Sequence, residues 1–152
     1  MKTAIVFSDT HGNIRALKKL DEILRETNYI FHLGDYSGDF IEIKNKYPEK
    51  CFSVPGNCDL RSGDGVTEID GVKIFYTHGH DYGVKQGLLK LYYKAKELGV
   101  DVVLYGHTHL AKVDVIDGIK FINPGAMRYG ENTYAYLVFS SNKCYEKIVE
   151  VF

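Results

Sequence analysis

The sequence predicts a single mixed α/β domain, and three observations carry that prediction. The N-terminal half alternates short apolar runs with segments of helical periodicity, the pattern of βαβ units. The C-terminal half is instead punctuated by two-residue turn signals, each between two apolar runs, as hairpins are. The chain's 152 residues suit one ordinary hydrophobic core, and no linker, repeat or low-complexity stretch divides them. Residues 1–152 are therefore read as one domain.

The elements follow in order. Lys2–Phe7 (KTAIVF) is β-branched and apolar, as a buried strand is. Asn13–Glu26 places Ile14, Leu17, Leu20, Ile23 and Leu24 on one helical face and predicts one helix. Tyr29–Leu33 is a second buried strand, Asp39–Lys46 a short helix ending before Pro48, and Cys51–Val54 a third strand. Val66–Ile69 and Val72–Thr77 flank Asp70-Gly71, a strong hairpin signal. Val84–Leu98 is a predicted helix closed by Gly99, and Val102–Tyr105 another buried strand. Two further hairpins pair Val113–Ile116 with Ile119–Ile122 around Asp117-Gly118, and Tyr134–Phe139 with Tyr145–Val151 around Ser141-Asn142.

Composition narrows the function classes. Lys and Arg number 19 against 20 Asp and Glu, a net charge of −1, without the basic excess of general nucleic-acid or membrane-surface binders. Cys51, Cys58 and Cys144 are odd in number and irregularly spaced, which argues against a disulfide framework and for a reducing compartment. The N-terminal apolar run stops at Ser8 and Asp9, too soon for a signal peptide, and no run approaches the roughly 20 residues that span a bilayer. The expectation is a cytoplasmic protein.

Five apolar runs end in ligand-type residues. Lys2–Phe7 leads into SDTHG, with Asp9 and His11; Tyr29–Leu33 into GDYSGD, with Asp35 and Asp39. Cys51–Val54 leads into PGNCD, with Asn57; Val72–Tyr76 into THGHD, with His78 and His80; Val102–Tyr105 into GHTH, with His107 and His109. Open α/β sheets build their sites at the carboxyl ends of strands, so these five ends are candidates for one crevice. Residues i and i+2 in extended backbone point the same way, so Asp9/His11 and His107/His109 can each present two side chains to one cluster. The adjacent glycines Gly12, Gly34, Gly56, Gly79 and Gly106 permit close backbone approach. Imidazoles, carboxylates and one amide, without thiolate, suit Mn²⁺, Fe, Zn²⁺, Ni²⁺ or Co²⁺ better than Mg²⁺ or Ca²⁺. Seven candidate ligands exceed the needs of one ion and suit two sharing a carboxylate, an arrangement (ions about 3.5–4 Å apart) typical of phosphoryl hydrolysis. Two dications, two aspartates and one hydroxide leave about +1, a site that attracts an anion.

The ordered set DxH, GD, GN, HG, GHxH, continuing to INPGA, resembles the calcineurin-like metallophosphoesterase family, and most of all its YfcE-like group of small bacterial and archaeal phosphodiesterases. The resemblance covers essentially the whole chain. It implies a four-layer αββα sandwich of two mixed sheets flanked by helices. It also implies a dinuclear centre with Mn²⁺ or a similar transition ion, one ion on Asp9, His11, Asp35 and His109. The other would sit on Asp35, Asn57, His78 and His107, with Asp35 bridging. The implied reaction is in-line attack on phosphorus by a hydroxide that bridges the metals, with Asn57, Cys58 and His78 as catalytic positions. Cys58 stands where many relatives carry a histidine proposed to protonate the leaving oxygen, and the YfcE-like group shares this cysteine. A thiol with a reference pKa of about 8.5 is then the candidate proton donor, and esters with good leaving groups, such as aryl diesters, are the expected substrates.

Each fragment alone has a plainer reading. His107 and His109 read singly as loop imidazoles, Asp9 as a helix cap, and Asp35 and Asn57 as turn residues beside glycine. Asp39 reads equally as support for a ligand or as a helix N-cap, and His80 as a substrate or support residue or as a loop histidine. His32, inside an apolar run, reads as a packed sheet histidine and not a ligand. Cys51 and Cys144 read as small buried apolar residues. At the level of function, the alternative to a phosphodiesterase is a non-catalytic interaction scaffold on the same fold, the use made of it by the retromer subunit of the family. A nuclease is disfavoured by the charge balance. The expected partner is a small phosphodiester, with a homodimer as the candidate assembly.

Overall fold

The computed structural model describes residues 1–35, 37–56, 63–128 and 132–151. Its elements are β1 (Lys2–Phe7), α1 (Ile14–Lys18), α2 (Asp21–Glu26), β2 (Tyr29–His32), α3 (Ile41–Lys46), β3 (Cys51–Ser53), β4 (Gly65–Ile69), β5 (Val72–Tyr76), α4 (Leu89–Leu98), β6 (Val102–Leu104), β7 (Ala111–Ile116), β8 (Ile119–Pro124), β9 (Thr133–Ser140) and β10 (Lys143–Glu150). They build two five-stranded sheets, ordered β10-β9-β1-β2-β3 and β4-β5-β6-β8-β7. In the first, β1, β2 and β3 are parallel, β9 is antiparallel to β1, and β10 is antiparallel to β9; in the second, β5, β6 and β8 are parallel and β4 and β7 antiparallel to them.

Alternation along the strands explains the layering. In β1, Ala4 and Val6 face the second sheet and pack with Phe31, Ile74, Leu104, Ile122 and Leu137. Ile5 and Phe7 face outward onto Leu17, Leu20 and Leu24 of the α1–α2 segment. In the second sheet, Phe75, Val103 and Phe121 face outward onto Leu91 and Ala95 of α4. Both faces of each central strand are thus apolar, which is why the strands read as continuous apolar runs. The result is the expected order of helices, sheet, sheet and helix. Among the described residues, no helix is long and apolar enough to cross a membrane.

The three hairpins form at the expected turns, with both central residues at positive φ: Asp70 and Gly71, Asp117 and Gly118, Ser141 and Asn142. Three helix expectations need correction. The helix over Asn13–Glu26 is two helices. Asn13 caps the first through Ala16 N–H, and Lys19 and Leu20 then bond to carbonyls three residues back, tightening the chain where α1 ends. Leu17, Leu20 and Leu24 stay buried through this break, so the apolar pattern survives while the helix does not. Asp39–Lys46 begins as a 3-10 turn, Ser37–Phe40, and only Ile41–Lys46 is α-helical. Val84–Leu98 starts five residues late, at Leu89, because Gly87 takes φ +141°, outside any helical region. Gly99 does close α4 in the left-handed conformation, with Val100 N–H bonding to Ala95 O.

Candidate metal centre

The parallel strands of both sheets end at one edge of the molecule, and their following loops carry the candidate ligands. Asp9 and His11 follow β1, Asp35 follows β2, His78 follows β5, and His107 and His109 follow β6. Five of these six residues have positive φ: Asp9 54°, His11 45°, Asp35 57°, His107 70° and His109 64°. Asp and His tolerate that region better than most residues, yet five in one cluster mark loops held by their surroundings. Glycines make the close approach possible. A Cβ on Gly56 would overlap the Asp35 carboxylate, and one on Gly106 would overlap Ser8 Oγ and Asp9 Oδ2.

Asp9 is held with one carboxylate oxygen toward the histidines. Asp9 Oδ2 accepts from Ser8 Oγ–H at 2.6 Å and from the His107 backbone N–H at 3.1 Å. Its Oδ1 is buried without a hydrogen bond and faces His109 Nε2 at 3.2 Å and His11 and His78 Nε2 at 3.9 Å. Asp35 Oδ2 lies 3.7 Å from His11 Nε2 and 3.4 Å from His78 Nε2, between the two histidines. Asp9, His11, Asp35 and His109 bring one ligand atom each within 4.8 Å of one another, and Asp35, His78 and His107 form a second such group. Asp35 is common to both.

The histidines are oriented by their far nitrogens. His78 Nδ1 sits 2.7 Å from Leu33 O, which can only accept, so Nδ1 carries the proton and Nε2 presents a lone pair. His107 Nδ1 lies 3.1 Å from that Nε2, and His107 Nε2 lies 3.3 Å from His80 Nδ1. His80 therefore touches a candidate ligand and not the carboxylates.

Electrostatics shows what the cluster lacks. Burial pushes Asp9 up to about 6, only partly opposed by His78, the Ser8 hydroxyl and the His107 amide. Burial, the charge of His78, and the charges of Lys85 and His80 push His107 down to about 4, so its imidazole is neutral with one ring nitrogen unprotonated. Burial would depress His78 as well, but its hydrogen bond to Asp35 and the charges of both aspartates hold it above the usual histidine range. Two buried carboxylates beside these imidazoles describe a site built to enclose positive charge. The orphan Asp9 Oδ1, the lone pair at His78 Nε2 and the N/O donor set fit divalent transition ions.

Asn57 and Cys58 lie outside the described residues, so the second group's expected amide ligand and the expected proton donor have no structural account. Asp39 lies in the 3-10 turn Ser37–Phe40, and its side chain is outside the described set. His32 is fully buried in β2, stacked on Phe40, as a packed sheet histidine should be. It is also a tie between loops: Gly34 N–H donates to Nδ1 at 3.2 Å, and Nε2 lies 3.3 Å from Thr10 Oγ1, between Asp9 and His11. Sequence reasoning assigned no role to Ser8, the Leu33 carbonyl or Asn123. Asn123 Nδ2 donates to Gly106 O at 3.2 Å and Thr108 Oγ1 at 2.8 Å, fixing the loop that carries both histidines after β6. Its signal was a polar residue in the apolar run before Pro124-Gly125.

A family model for the calcineurin-like phosphoesterase superfamily domain matches residues 1–143. The probable metallophosphoesterase YsnB of Bacillus subtilis is 38% identical over 133 residues, covering 82% of this chain and 74% of its own. Phosphodiesterase MJ0936 of Methanocaldococcus jannaschii is 31% identical over 142 residues, covering 79% and 81%. The crystal structure of a Streptococcus pneumoniae protein described as a predicted phosphoesterase superposes with a TM-score of 0.80 at 28% identity, covering 99% of this chain and 92% of that one.

Proposed function

The chain belongs to the calcineurin-like phosphoesterase superfamily, and we propose that it is a phosphodiesterase working with two divalent transition-metal ions, Mn²⁺ first among them. One observation carries the reading: two ligand-ready groups share one buried carboxylate, that of Asp35. Asp9, His11, Asp35 and His109 would hold one ion; Asp35, His78 and His107, with Asn57, the other. When bound, the two dications supply positive charge for the phosphoryl oxygens and make water acidic enough to attack phosphorus near neutral pH. The chain's own residues prepare that site. Ser8 and the His107 amide fix Asp9 Oδ2 so that Oδ1 points inward, and Leu33 O sets the His78 tautomer. Keeping His107 neutral leaves one ring nitrogen able to hold an ion. With Cys58 and not an imidazole after Asn57, leaving-group protonation is weak, which favours aryl over alkyl diesters.

The test is reconstitution of the chelated protein with Mn²⁺, Ni²⁺, Zn²⁺ or Mg²⁺ before assay on an aryl phosphodiester and its monoester. Diester hydrolysis restored by Mn²⁺ and absent after chelation is the expected result. No turnover with any ion, together with a binding partner that tolerates Asp35→Ala, would favour the scaffold reading.

A further inference from the structure

A cleft of about 420 Å³ lies against the loop that carries His107 and His109. Its floor includes Thr108, the residue between those two histidines, and its facing wall is the segment 84–88. The volume falls within the range of about 300–1,000 Å³ usual for small-molecule sites. Of the other hollows, the one between α1, α2 and α3 is near 130 Å³ and lined by both signs of charge, including Asp21, Glu42 and Lys46. The cleft is different. Lys85 and Lys112 line it and no acidic residue does, in a chain whose overall charge is −1.

The two lysines are not equivalent. Lys112 is shared with Asp114 at 3.6 Å, whereas Lys85 has no ion pair among the described residues, unlike Lys46, Lys94 and Lys120. Apolar surface completes the cleft: Leu88 lines it beside Leu110, which is 71% exposed. A ligand with an apolar body and an anionic end matches both linings.

We propose that this cleft receives the second substituent of the phosphodiester, the one that stays on phosphorus, and that it selects substituents bearing a negative charge of their own. The inference rests on the phosphodiesterase reading and deepens it. Leu88 and Leu110 contact the body of the substituent, while Lys85 and Lys112 meet its charged end. Aryl diesters whose second substituent is uncharged lack that end and leave Lys85 without a counter-charge in the cleft.

The experiment uses two diesters with one leaving group: 4-nitrophenyl phenyl phosphate and 4-nitrophenyl 4-carboxyphenyl phosphate, hydrolysed by the Mn²⁺-loaded protein. The carboxylated ester is expected to have a KM about five- to tenfold lower, the size expected of two solvent-facing charge pairs. Lys85→Gln/Lys112→Gln should bring the ratio of the two KM values to within about twofold, and 0.5 M salt should do the same because it screens exposed pairs. A ratio of one in the unaltered protein, or a ratio insensitive to the double substitution, overturns the subsite. A second readout separates this proposal from the reading beneath it. Binding of 4-carboxyphenyl phosphate and phenyl phosphate to the metal-free protein is followed by amide shifts at Thr108, Leu110 and Lys112. Shifts with the carboxylated ligand alone support the subsite even if neither diester turns over, a result that would remove only the phosphodiesterase reading. Equal shifts with both ligands, or none with either, overturn it.

Discussion

Nine of the ten non-glycine residues with positive φ in the described chain take it for one of two different reasons. Four of them, Asp70, Asp117, Ser141 and Asn142, occupy exposed two-residue hairpin turns, where the twist of the flanking strands demands that conformation and local sequence provides for it. Five are the candidate ligands Asp9, His11, Asp35, His107 and His109, clustered where the two sheets end and largely buried. No turn signal asks for positive φ there. It is imposed by contacts between distant segments: Gly106 against Ser8 and Asp9, Gly56 against Asp35, Asn123 against the His107 loop. A left-handed non-glycine residue costs about 1 kcal/mol or more, so the ligand cluster stores strain that the rest of the fold must offset. The hairpins spend conformation on folding, whereas the ligand loops spend it on aiming side chains.

The largest expected effect tests whether Asp35 joins the two groups. Asp35→Ala should lose both ions and reduce diester hydrolysis by about 10³-fold or more, since metal catalysis is worth several kcal/mol. His109→Ala should lose one ion and keep the other. Metal stoichiometry by elemental analysis checks this, and equal loss in both variants would break the assignment.

Next in size is a pair of alanine substitutions that sets the ligand loops directly against the hairpins. Gly106→Ala drives a Cβ into Ser8 and Asp9, where nothing can yield without moving a ligand, and should cost about 2–4 kcal/mol and weaken Mn²⁺ binding more than about tenfold. Gly118→Ala meets nothing within 4 Å at φ +76° and should cost only the left-handed penalty, about 1 kcal/mol, with metal binding unchanged. Thermal unfolding and metal titration of the two variants decide. Equal destabilisation would mean that the ligand loops are no more constrained than turns.

These two regions also mark how much was readable in the amino-acid sequence. The hairpins were legible because Asp-Gly and Ser-Asn signals are local and the flanking strands alternate at period two. The ligand residues were legible because each closes an apolar run, a pattern that needs no knowledge of the partner strands. What holds them was not. Asn123 lies 17 residues from Gly106, and His32 lies 22 residues from Thr10, so neither tie leaves a local pattern. Helix boundaries failed for a related reason: apolar periodicity reports which face is buried and is indifferent to the tightened turn at Leu20 or the φ of Gly87.

A smaller effect concerns the charge stored at Asp9. Its folded pKa is raised from 3.8 to about 6, so the metal-free folded state holds that proton more tightly than the unfolded chain. The ionised carboxylate therefore subtracts from stability above about pH 6, and the subtraction disappears as pH falls through 6 towards 4. Asp9→Asn should stabilise the metal-free protein at pH 7.5 by roughly 1–3 kcal/mol, the gain shrinking to nothing near pH 4, while metal binding is lost. Melting temperatures across that pH range test the sign. A variant less stable than the parent at pH 7.5 would show that Asp9 is not a stored cost.

The smallest effect asks whether His32 belongs with the core or with the ligand loops. Accepting from Gly34 N–H leaves the Nε2 proton for Thr10 Oγ1, so the neutral imidazole links the segment holding Asp35 to the one between Asp9 and His11. Packing against Phe7 and Phe40 would be served as well by a leucine. His32→Leu should weaken Mn²⁺ binding about tenfold by releasing both loops, and His32→Gln, which can accept and donate along the same line, should recover much of that affinity despite packing less well. A core role predicts the opposite order, with leucine the better replacement in both stability and metal affinity. Titrating Mn²⁺ into the two variants separates these outcomes, because only loss of the hydrogen-bonded tie moves affinity and stability in different directions.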